Sequence, residues 1–292
     1  MVFVSGPDPN TWTLLEFANT GDQLAKNIPN VSKLPGEYLG DSVCDSFYIL
    51  PISTLEIENV ISNLNTRKST GPFSIPANIL KILKTVISKP LEILYNTSIS
   101  SGVVPYHFKL AKVIPLFKKG SRSSLNNYLP ASVLSISNKI FEKIMCNRRL
   151  NFFEKHRIIY SKQFGFRAHH ATDHAILSIT DKIQRAIDDQ EFSCGIFLDF
   201  SKAFDTINHD ILISKLEYYG IRGVVKNWFI SYLKNRKQFV SLRDISSDKQ
   251  WISCGVPQGS VLGPLLFLLY VNDFNCCSDL LDFFLQMTLI CF

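Results

Sequence analysis

The sequence contains no Cys-x-x-Cys pair, although it has seven cysteines, so it does not indicate a zinc ribbon. Scattered single cysteines instead suit a reducing compartment. The first ten residues have neither a basic start nor an apolar core, so they do not form a secretory signal peptide. The longest apolar stretch, Val261–Val271, is interrupted by Gly263-Pro264 and is too short to span a bilayer. We therefore expect an intracellular protein, nuclear or cytoplasmic, that is not secreted and has no membrane partner.

Charged residues are sparse, at 19% of the 292 residues, whereas apolar residues make up 46% and aromatic residues 12%. This balance predicts a sizeable hydrophobic core and excludes a mostly disordered chain. At ~150 residues per domain, the length allows one large domain or two smaller ones. Lysine and arginine outnumber the acidic residues by 31 to 25, a net charge of +6. That charge permits a nucleic-acid partner but does not by itself indicate one.

Three regions are predicted along the chain. Residues 1–50 are weakly patterned and broken by prolines, as expected of a linker or of the tail of an upstream region. Residues 51–105 are predicted to be a helical N-terminal extension, because apolar residues recur at helical spacing over Leu55–Leu64 and again over Pro76–Ile87. The remaining residues are predicted to form the main domain.

Apolar periodicity predicts strands and helices in the main domain. Thr172–Asp189 has the clearest helical stripe, with an isoleucine every three to four residues. Ser193–Phe200 is a short apolar run that leads into Asp199, as in a buried strand with a carboxylate at its exit. The other predicted elements are strand Leu110–Phe117, helix Ser137–Leu150, two short helices of which the second ends at Gly220, paired strands Gln238–Leu242 and Trp251–Cys254, and an apolar helix from Pro264 towards Tyr270.

Three features are candidates for chemistry, and each has a structural alternative. The carboxylate of Asp199, at the exit of a buried strand, needs a hydrogen bond, an ion pair or a metal; the alternative is a helix cap. The loop Gly255–Ser260 combines permissive glycines with the amide of Gln258, which suits a ligand, or it is an ordinary turn between a strand and a helix. The basic turn Lys118-Lys119 suits a phosphate, or it is a solvated charged turn.

Longer blocks stand out once these features are taken together. Residues Phe197–Asp205 read FLDFSKAFD, and residues Gly255–Pro264 read GVPQGSVLGP. In order and spacing they resemble the first catalytic block and the nucleotide-pocket block of reverse transcriptases from non-LTR retrotransposons, especially the jockey-like elements. Further blocks fit the same family: Val113–Gly120 and Asn126–Pro130 resemble fingers strands, Gln163–Arg167 the segment before the long helix, and Trp228–Arg236 the segment between the two main blocks. The resemblance runs from about Ile61 to Phe274.

The resemblance implies a fold, an activity and a set of partners. The fold is α+β, the fingers and palm of a right-hand polymerase with a small antiparallel palm sheet packed on helices. The reverse transcriptase domain is placed at residues 106–292, truncated at the second catalytic Asp block, and we expect the thumb to be absent. The implied activity is RNA-directed DNA synthesis on an RNA template with a DNA primer and deoxynucleotides. The implied cofactor is Mg²⁺, which prefers hard oxygen ligands.

The resemblance also assigns roles around the reacting centre. Asp199 is the implied catalytic residue and metal ligand, with the carbonyl oxygen of Phe200 beside it. Phe204 is the bulky side chain under the sugar that rejects a 2′-hydroxyl. Gln258 and Gly259 border the incoming nucleotide.

Basic side chains are implied to hold phosphate groups. Lys118 or Lys119 reaches the phosphates of the nucleotide, and Arg167 contacts the template backbone, since its fork of donors suits a phosphate. A surface salt bridge is the alternative for Arg167. Lys68, in a basic loop of the N-terminal extension, is a further implied nucleic-acid contact. For Asp205, the last residue of the first catalytic block, the structural alternative to a role in the site is a helix cap or an ion pair.

A histidine-rich segment precedes the long helix. His170 and His174 are spaced to share one helical face, next to His169 and Asp173. No further ligand cluster accompanies them in the sequence, so we predict a polar helix start in preference to a zinc site.

The chain departs from the family pattern in three places. A hairpin facing Asp199 should follow Asn272–Phe274 and carry an Asp-Asp pair after Phe-Ala or Tyr-Ala, but Leu281–Ile290 reads LDFFLQMTLI. Leu129 stands where an arginine is expected to steady the nucleotide's phosphates, and leucine cannot donate a hydrogen bond from its side chain. Phe73 stands where the family tends to have an aspartate.

A reading-frame slip accounts for the missing Asp pair. Residues Phe284–Thr288 can be encoded by TTT TTG CAG ATG AC and any base, and the same string read from its third base gives Phe-Ala-Asp-Asp. Sequencing the transcript would reject this hypothesis if no such string is present.

One aspartate in place of three removes most of the charge of a two-metal site, so turnover is predicted to fall by orders of magnitude. The leading interpretation is therefore an inactive polymerase fragment. One alternative is a non-catalytic module that binds RNA or hybrid duplex. The other is an unstable relic without function, in which part of Val261–Tyr270 is expected to be exposed.

Overall fold

The computed structural model describes residues 2–5, 12–15, 42–67, 69–124, 127–167, 170–199, 203–242, 245–274, 282–285 and 288–291. The helices in these residues are α1 (Thr54–Ser62), α2 (Ala77–Ile82), α3 (Lys84–Ser101), α4 (Ile136–Lys155), α5 (Thr172–Asp188), α6 (His209–Tyr218), α7 (Gly223–Leu233) and α8 (Gly263–Val271). The strands are β1 (Val2–Ser5), β2 (Trp12–Leu15), β3 (Leu110–Phe117), β4 (Tyr128–Val133), β5 (Ser193–Asp199), β6 (Arg236–Leu242), β7 (Ile245–Ser246), β8 (Gln250–Ile252), β9 (Asp282–Leu285) and β10 (Thr288–Cys291).

Two compact units divide the chain, and each is built from separate segments. The first unit contains Met1–Gly40, Ile159–Ala203 and Val271–Phe292. The second unit contains Asp41–Ile158 and Phe204–Tyr270. The predicted boundaries near residues 50 and 105 remain a prediction.

The first unit is an antiparallel sheet with the strand order β2-β1-β5-β10-β9. Helix α5 packs against β5 and β9. At the start of α5, the ring Nδ1 of His174 accepts a hydrogen bond from the backbone N–H of Ala171 at 3.3 Å. This contact agrees with the predicted polar helix start. His169 lies outside the described residues.

A second sheet lies in the second unit. Strand β3 pairs with β4 in antiparallel fashion and with β6 in parallel fashion, while β7 and β8 both pair with β6. The predicted strand Leu110–Phe117 is confirmed at both ends, and the predicted pairing of the strands near 240 and 252 is confirmed as β6 with β8. The small sheets and the helices packed on them make the fold α+β, as predicted.

Aromatic side chains form the core of the second unit, where helices α3, α4 and α7 meet. The rings of Tyr95 and Phe141 stack with their centroids 4.4 Å apart, and Trp228 meets Phe141 edge-on at 5.3 Å. The indole N–H of Trp228 donates to Ser98 Oγ at 3.0 Å, so this buried polar atom is paired. Full burial of such rings removes a large apolar area from water and stabilises the helix packing.

The helical extension differs from the prediction. The helix expected over Pro76–Ile87 is broken at Leu83, and the second piece runs on to Ser101 through Pro90. Proline inside a helix removes one backbone hydrogen bond. Helix α3 nevertheless continues because its other face buries Leu91 and Tyr95, and tertiary burial outweighs the local cost.

Two further expectations are corrected by the structure. Gly220, with φ +91°, follows α6, and the second helix α7 comes after it. The expected exposure of part of Val261–Tyr270 is wrong, because no residue of this segment is exposed and most side chains of α8 are buried, with Leu266 and Leu269 fully so. Within the described residues, none of the helices combines the length and apolar character needed to cross a bilayer.

Candidate active site

Asp199 is the last residue of β5, as predicted. Strand β10 runs antiparallel beside β5, with Thr288 paired to Asp199 and Cys291 to Ile196. Strands β9 and β10 pair with each other and are joined by only Gln286 and Met287 in the sequence. The hairpin that the family resemblance predicts next to Asp199 is therefore present in the first unit, and its short connection follows Leu285.

The carboxylates of this hairpin do not suit a two-metal site. Asp282 is the one acidic residue of β9 and β10, and it pairs with Cys291, at the end of the hairpin away from the connection. Cys291 in turn pairs with Ile196, so Asp282 is offset from Asp199 by about 10 Å along the strands, at about 3.3 Å per residue. Carboxylates that share Mg²⁺ bind it at about 2.1 Å. The residues present therefore do not fit a pair of Mg²⁺ ions.

Backbone hydrogen bonds hold the loop Gly255–Ser260, the pocket loop, within the second unit. The N–H of Val256 donates to the carbonyl oxygen of Phe204 at 2.7 Å, and the N–H of Gly255 donates to that of Ile207 at 2.8 Å. On the other side, the N–H of Ser132 in β4 donates to the carbonyl oxygen of Gln258 at 2.8 Å. The pocket loop is thus tied both to the chain that follows β5 and to the β3–β4 sheet.

The two glycines of the pocket loop are required by close backbone contacts. A Cβ atom on Gly255 would lie 2.8 Å from the carbonyl oxygen of Phe204, and one on Gly259 would lie 2.4 Å from that of Ser132. Both residues also have positive φ, +82° and +120°. Any other residue would push the loop away from these neighbours, because such distances are far below van der Waals contact.

The predicted nucleotide-binding side chains occupy different environments. Phe204 is buried, with its ring centroid 5.4 Å from that of Phe267, whereas Gln258 is half-buried and Gly259 is exposed. Lys118 and Lys119 follow β3 and are exposed. All five belong to the second unit, whereas Asp199 belongs to the first. Their roles at a nucleotide remain predictions.

The predicted template contact, Arg167, is half-buried and bonded to its own loop. Its Nη1 donates to the carbonyl oxygens of Tyr160 at 3.2 Å and Gln163 at 3.5 Å. These bonds stabilise the segment before α5, and the contact with template remains a prediction. Phe200 and Lys68 lie outside the described residues.

Asp205 is not the cap of the following helix. Asn208 caps α6, since its side-chain oxygen accepts from the N–H groups of Asp210 at 2.9 Å and Ile211 at 3.1 Å. The carbonyl oxygen of Asp205 accepts from Cys254 Sγ at 3.4 Å, next to the pocket loop. Helix capping is therefore excluded as the role of Asp205 at α6.

Two buried polar side chains near the pocket loop were missed from the sequence. His209 is buried, and its Nε2 lies 2.7 Å from the carbonyl oxygen of Gly255; since a carbonyl oxygen only accepts, this nitrogen carries the hydrogen. Glu142 in α4 accepts from the N–H of Val261 at 2.6 Å. The sequence carries no local signal for either, because a polar residue in a helix is usually exposed.

The α+β fold, with small sheets packed on helices, is consistent with the fingers and palm of a right-hand polymerase. Among the described residues, no group of three or more His, Cys, Asp or Glu side chains is placed to hold a metal.

The chain belongs to the reverse transcriptase (RNA-dependent DNA polymerase) family, whose model matches residues 117–291. It is 34% identical over 238 residues to a probable RNA-directed DNA polymerase from transposon BS of Drosophila melanogaster, covering 79% of this chain and 26% of that protein. It is 30% identical over 241 residues to the RNA-directed DNA polymerase from mobile element jockey of the same fly, covering 81% and 26%. The chain therefore spans about a quarter of the length of these curated relatives. Members of the family generally depend on Mg²⁺ and bind an RNA template and nucleotides.

Proposed function

We propose that this chain is the fingers-and-palm part of an RNA-directed DNA polymerase from a jockey-like non-LTR retrotransposon, and that the chain as given does not catalyse nucleotidyl transfer. The family match and the relatives support the first half of the proposal. The observation that carries the second half is the strand register, in which the hairpin beside Asp199 has its one aspartate at the far end.

The pocket loop is the proposed binding surface for the deoxynucleotide. Gln258 and Gly259 border the bound nucleotide, and Phe204 lies under its sugar. Lys118 and Lys119 neutralise the charge of its phosphates. The support for this assignment is that the loop is fixed by backbone bonds to Phe204 and to Ser132. A fixed backbone lets a nucleotide bind without the cost of ordering the loop.

Nucleic acid is the proposed second ligand. The net charge of +6 and the exposed basic turn after β3 favour a phosphate backbone as partner. We propose Arg167 and Lys68 as template contacts. Binding of this kind does not require the missing carboxylates, so a non-catalytic module that binds hybrid duplex is the second candidate function.

The loss of nucleotidyl transfer follows from the donor set. When bound in an intact family site, two Mg²⁺ ions activate the primer hydroxyl and stabilise both oxygens of the displacement. A single Asp199 carboxylate supplies too little charge and too few ligands for two such ions. Turnover is therefore expected to be lower by orders of magnitude than in a site with all its carboxylates.

Primer extension tests the proposal. A DNA primer annealed to an RNA template is incubated with Mg²⁺, deoxynucleotides and either the natural chain or Asp199→Asn. We expect both proteins to give the same background incorporation. Incorporation by the natural chain above that of Asp199→Asn would show an active metal site and would overturn the inactivity.

A further inference from the structure

Glu142 is a fully buried carboxylate in the second unit, 1% exposed, in the middle of α4. Three donors converge on its two oxygens. Asn138 Nδ2 and the Tyr232 hydroxyl donate to Oε1 at 2.9 and 2.8 Å, and the backbone N–H of Val261 donates to Oε2 at 2.6 Å. Donors of the protein replace water around this buried carboxylate. If the carboxylate is removed, these donors lose their hydrogen-bond partner.

The position of Val261 gives this contact its meaning. Val261 directly follows the pocket loop and precedes α8, so its N–H marks the exit of the loop. The entrance and the middle of the loop are held by the bonds of Gly255, Val256 and Gln258 described above. Glu142 supplies the side-chain anchor at the exit, from a helix more than a hundred residues earlier in the chain.

The surroundings of Glu142 favour its role as an acceptor. Arg236 is fully buried, and its guanidinium carbon lies 5.0 Å from the ring centroid of Tyr232. Burial raises the pKa of the Glu142 carboxyl above its usual value, and the bonds from Tyr232 and Val261 and the positive charge of Arg236 offset only part of that rise. Burial also raises the pKa of Tyr232, so its hydroxyl keeps its hydrogen and donates. By geometry, each of the three donors meets one of the two oxygens of Glu142.

We propose that Glu142 is a positioning residue for the pocket loop: through Val261 N–H it fixes the loop exit in the conformation that receives a deoxynucleotide. The identity of the ligand, a deoxynucleotide, rests on the proposed function. The anchoring of the loop by Glu142 does not depend on it. Glu142 touches no substrate in this account and acts only through the loop. Tyr232 and Asn138 hold the carboxylate in the orientation that reaches Val261.

Hydrogen–deuterium exchange of the full chain, read by mass spectrometry on peptides covering residues 255–262, tests the anchoring. We expect Glu142→Gln to speed exchange in this segment by about tenfold, since the amide nitrogen of glutamine cannot accept a hydrogen bond and one side of the site loses its acceptor. Asn138→Ala removes one of the three donors to Glu142, so it should speed exchange by a smaller factor. This second variant decides the matter if the loss of charge beside Arg236 prevents folding of Glu142→Gln.

Two controls separate anchoring from general stability. Glu154→Gln removes an exposed carboxylate from the same helix, and Tyr95→Phe removes a buried hydroxyl that donates to the carbonyl oxygen of Ser137 at 2.7 Å. Neither should change exchange in residues 255–262. Equal acceleration by Tyr95→Phe and Asn138→Ala, or unchanged exchange in both Glu142→Gln and Asn138→Ala, would overturn the proposal.

A binding measurement on the same proteins addresses the ligand. Titration of a fluorescent deoxynucleoside triphosphate should show an affinity about tenfold lower for Glu142→Gln than for the natural chain, with affinity for an RNA–DNA hybrid unchanged. An affinity for the triphosphate that is unchanged despite faster exchange would overturn the link between the loop and the nucleotide. If the natural chain itself binds no triphosphate, the proposed function fails at this ligand, while the exchange result still decides the anchoring.

Discussion

Two glycines of the second unit show how the surroundings of a residue decide what it tolerates. Gly259 has φ +120°, and a Cβ there would lie 2.4 Å from the carbonyl oxygen of Ser132. Gly223 has φ +59°, and a Cβ there would meet nothing within 4 Å. Both positions carry the backbone strain that a side chain brings at positive φ, but only Gly259 adds a collision with another strand.

Gly259→Ala is therefore expected to cost clearly more stability than Gly223→Ala. We expect a loss of about 1 kcal/mol in the free energy of unfolding for Gly223→Ala, from φ alone, and at least twice that for Gly259→Ala. Urea titrations of both variants measure the difference. Equal losses would show that the loop can move away from Ser132 at no cost.

Titration of the Lys109 amine should make the free energy of unfolding depend on pH, and a single substitution can separate this contribution from the others. Its Nζ donates to Ser231 Oγ at 3.1 Å. Burial, and then the charge of Arg236, lower the pKa of Lys109 from 10.5. The unfolded chain therefore binds more protons between the lowered pKa and 10.5, so the free energy of unfolding should rise with pH in that window.

Lys109→Met removes this titration and keeps most of the side-chain volume. The difference in unfolding free energy between the natural chain and Lys109→Met should shift in favour of the natural chain as pH rises towards 10.5. Urea unfolding of both proteins across this range is the measurement. A difference that is constant with pH, or that shifts the other way, would contradict a lowered pKa.

At the scale of elements, helix α6 depends on its N-terminal cap. The side chain of Asn208 satisfies the N–H groups of Asp210 and Ile211, which otherwise have no partner inside the helix. Asn208→Ala should cost about 1 kcal/mol of unfolding free energy, whereas Asn208→Asp keeps the acceptor and should be nearly neutral. Urea midpoints of the two variants give the comparison. A loss for Asn208→Asp as large as for Asn208→Ala would exclude capping as the cause.

The elements with strong local patterns were predictable from the sequence. Strand β3 ends where the apolar run ends at Phe117, and the continuous run before Asp199 is strand β5. The family blocks predicted a hairpin after Phe274, and β9 and β10 form it. The two strands were predictable because a short apolar run is a local signal in the sequence, whereas the hairpin was predicted from the family blocks and not from a local pattern.

The features that depend on distant contacts were not predictable. Pro90 indicates a helix end locally, yet α3 continues because Leu91 and Tyr95 are buried against other helices. Glutamate in a helix is usually exposed, so the sequence around Glu142 does not indicate burial. Only the folded chain brings Tyr232 and Val261 to its carboxylate. Tertiary packing overrides local propensity in both cases.

For the whole molecule, the proposed binding of nucleic acid predicts a strong dependence on salt. Affinity for an RNA–DNA hybrid should fall by at least tenfold between about 50 and 200 mM salt, because counterions are released on binding. The double variant Lys118→Ala with Lys119→Ala should reduce the slope of log affinity against log salt by about 2. Filter binding gives both slopes.

A lysine engaged in an ion pair serves as the control. Lys226 lies 2.6 Å from Glu217, and Lys226→Ala should leave the slope unchanged. Affinity that does not vary with salt would rule out a phosphate backbone as the partner. A slope lowered equally by all lysine variants would point to net charge alone and not to the basic turn.

Restoration of the carboxylate pair tests the central claim most directly. The triple variant Leu285→Ala, Gln286→Asp, Met287→Asp writes Phe-Ala-Asp-Asp into the connection of the β9–β10 hairpin, and Asp199→Asn in the same background is its control. Primer extension with Mg²⁺ should rise by about a hundredfold or more over the natural chain in the triple variant and fall to background in the control. Extension by the natural chain equal to that of the triple variant would contradict the account, because the missing pair would then not limit the reaction.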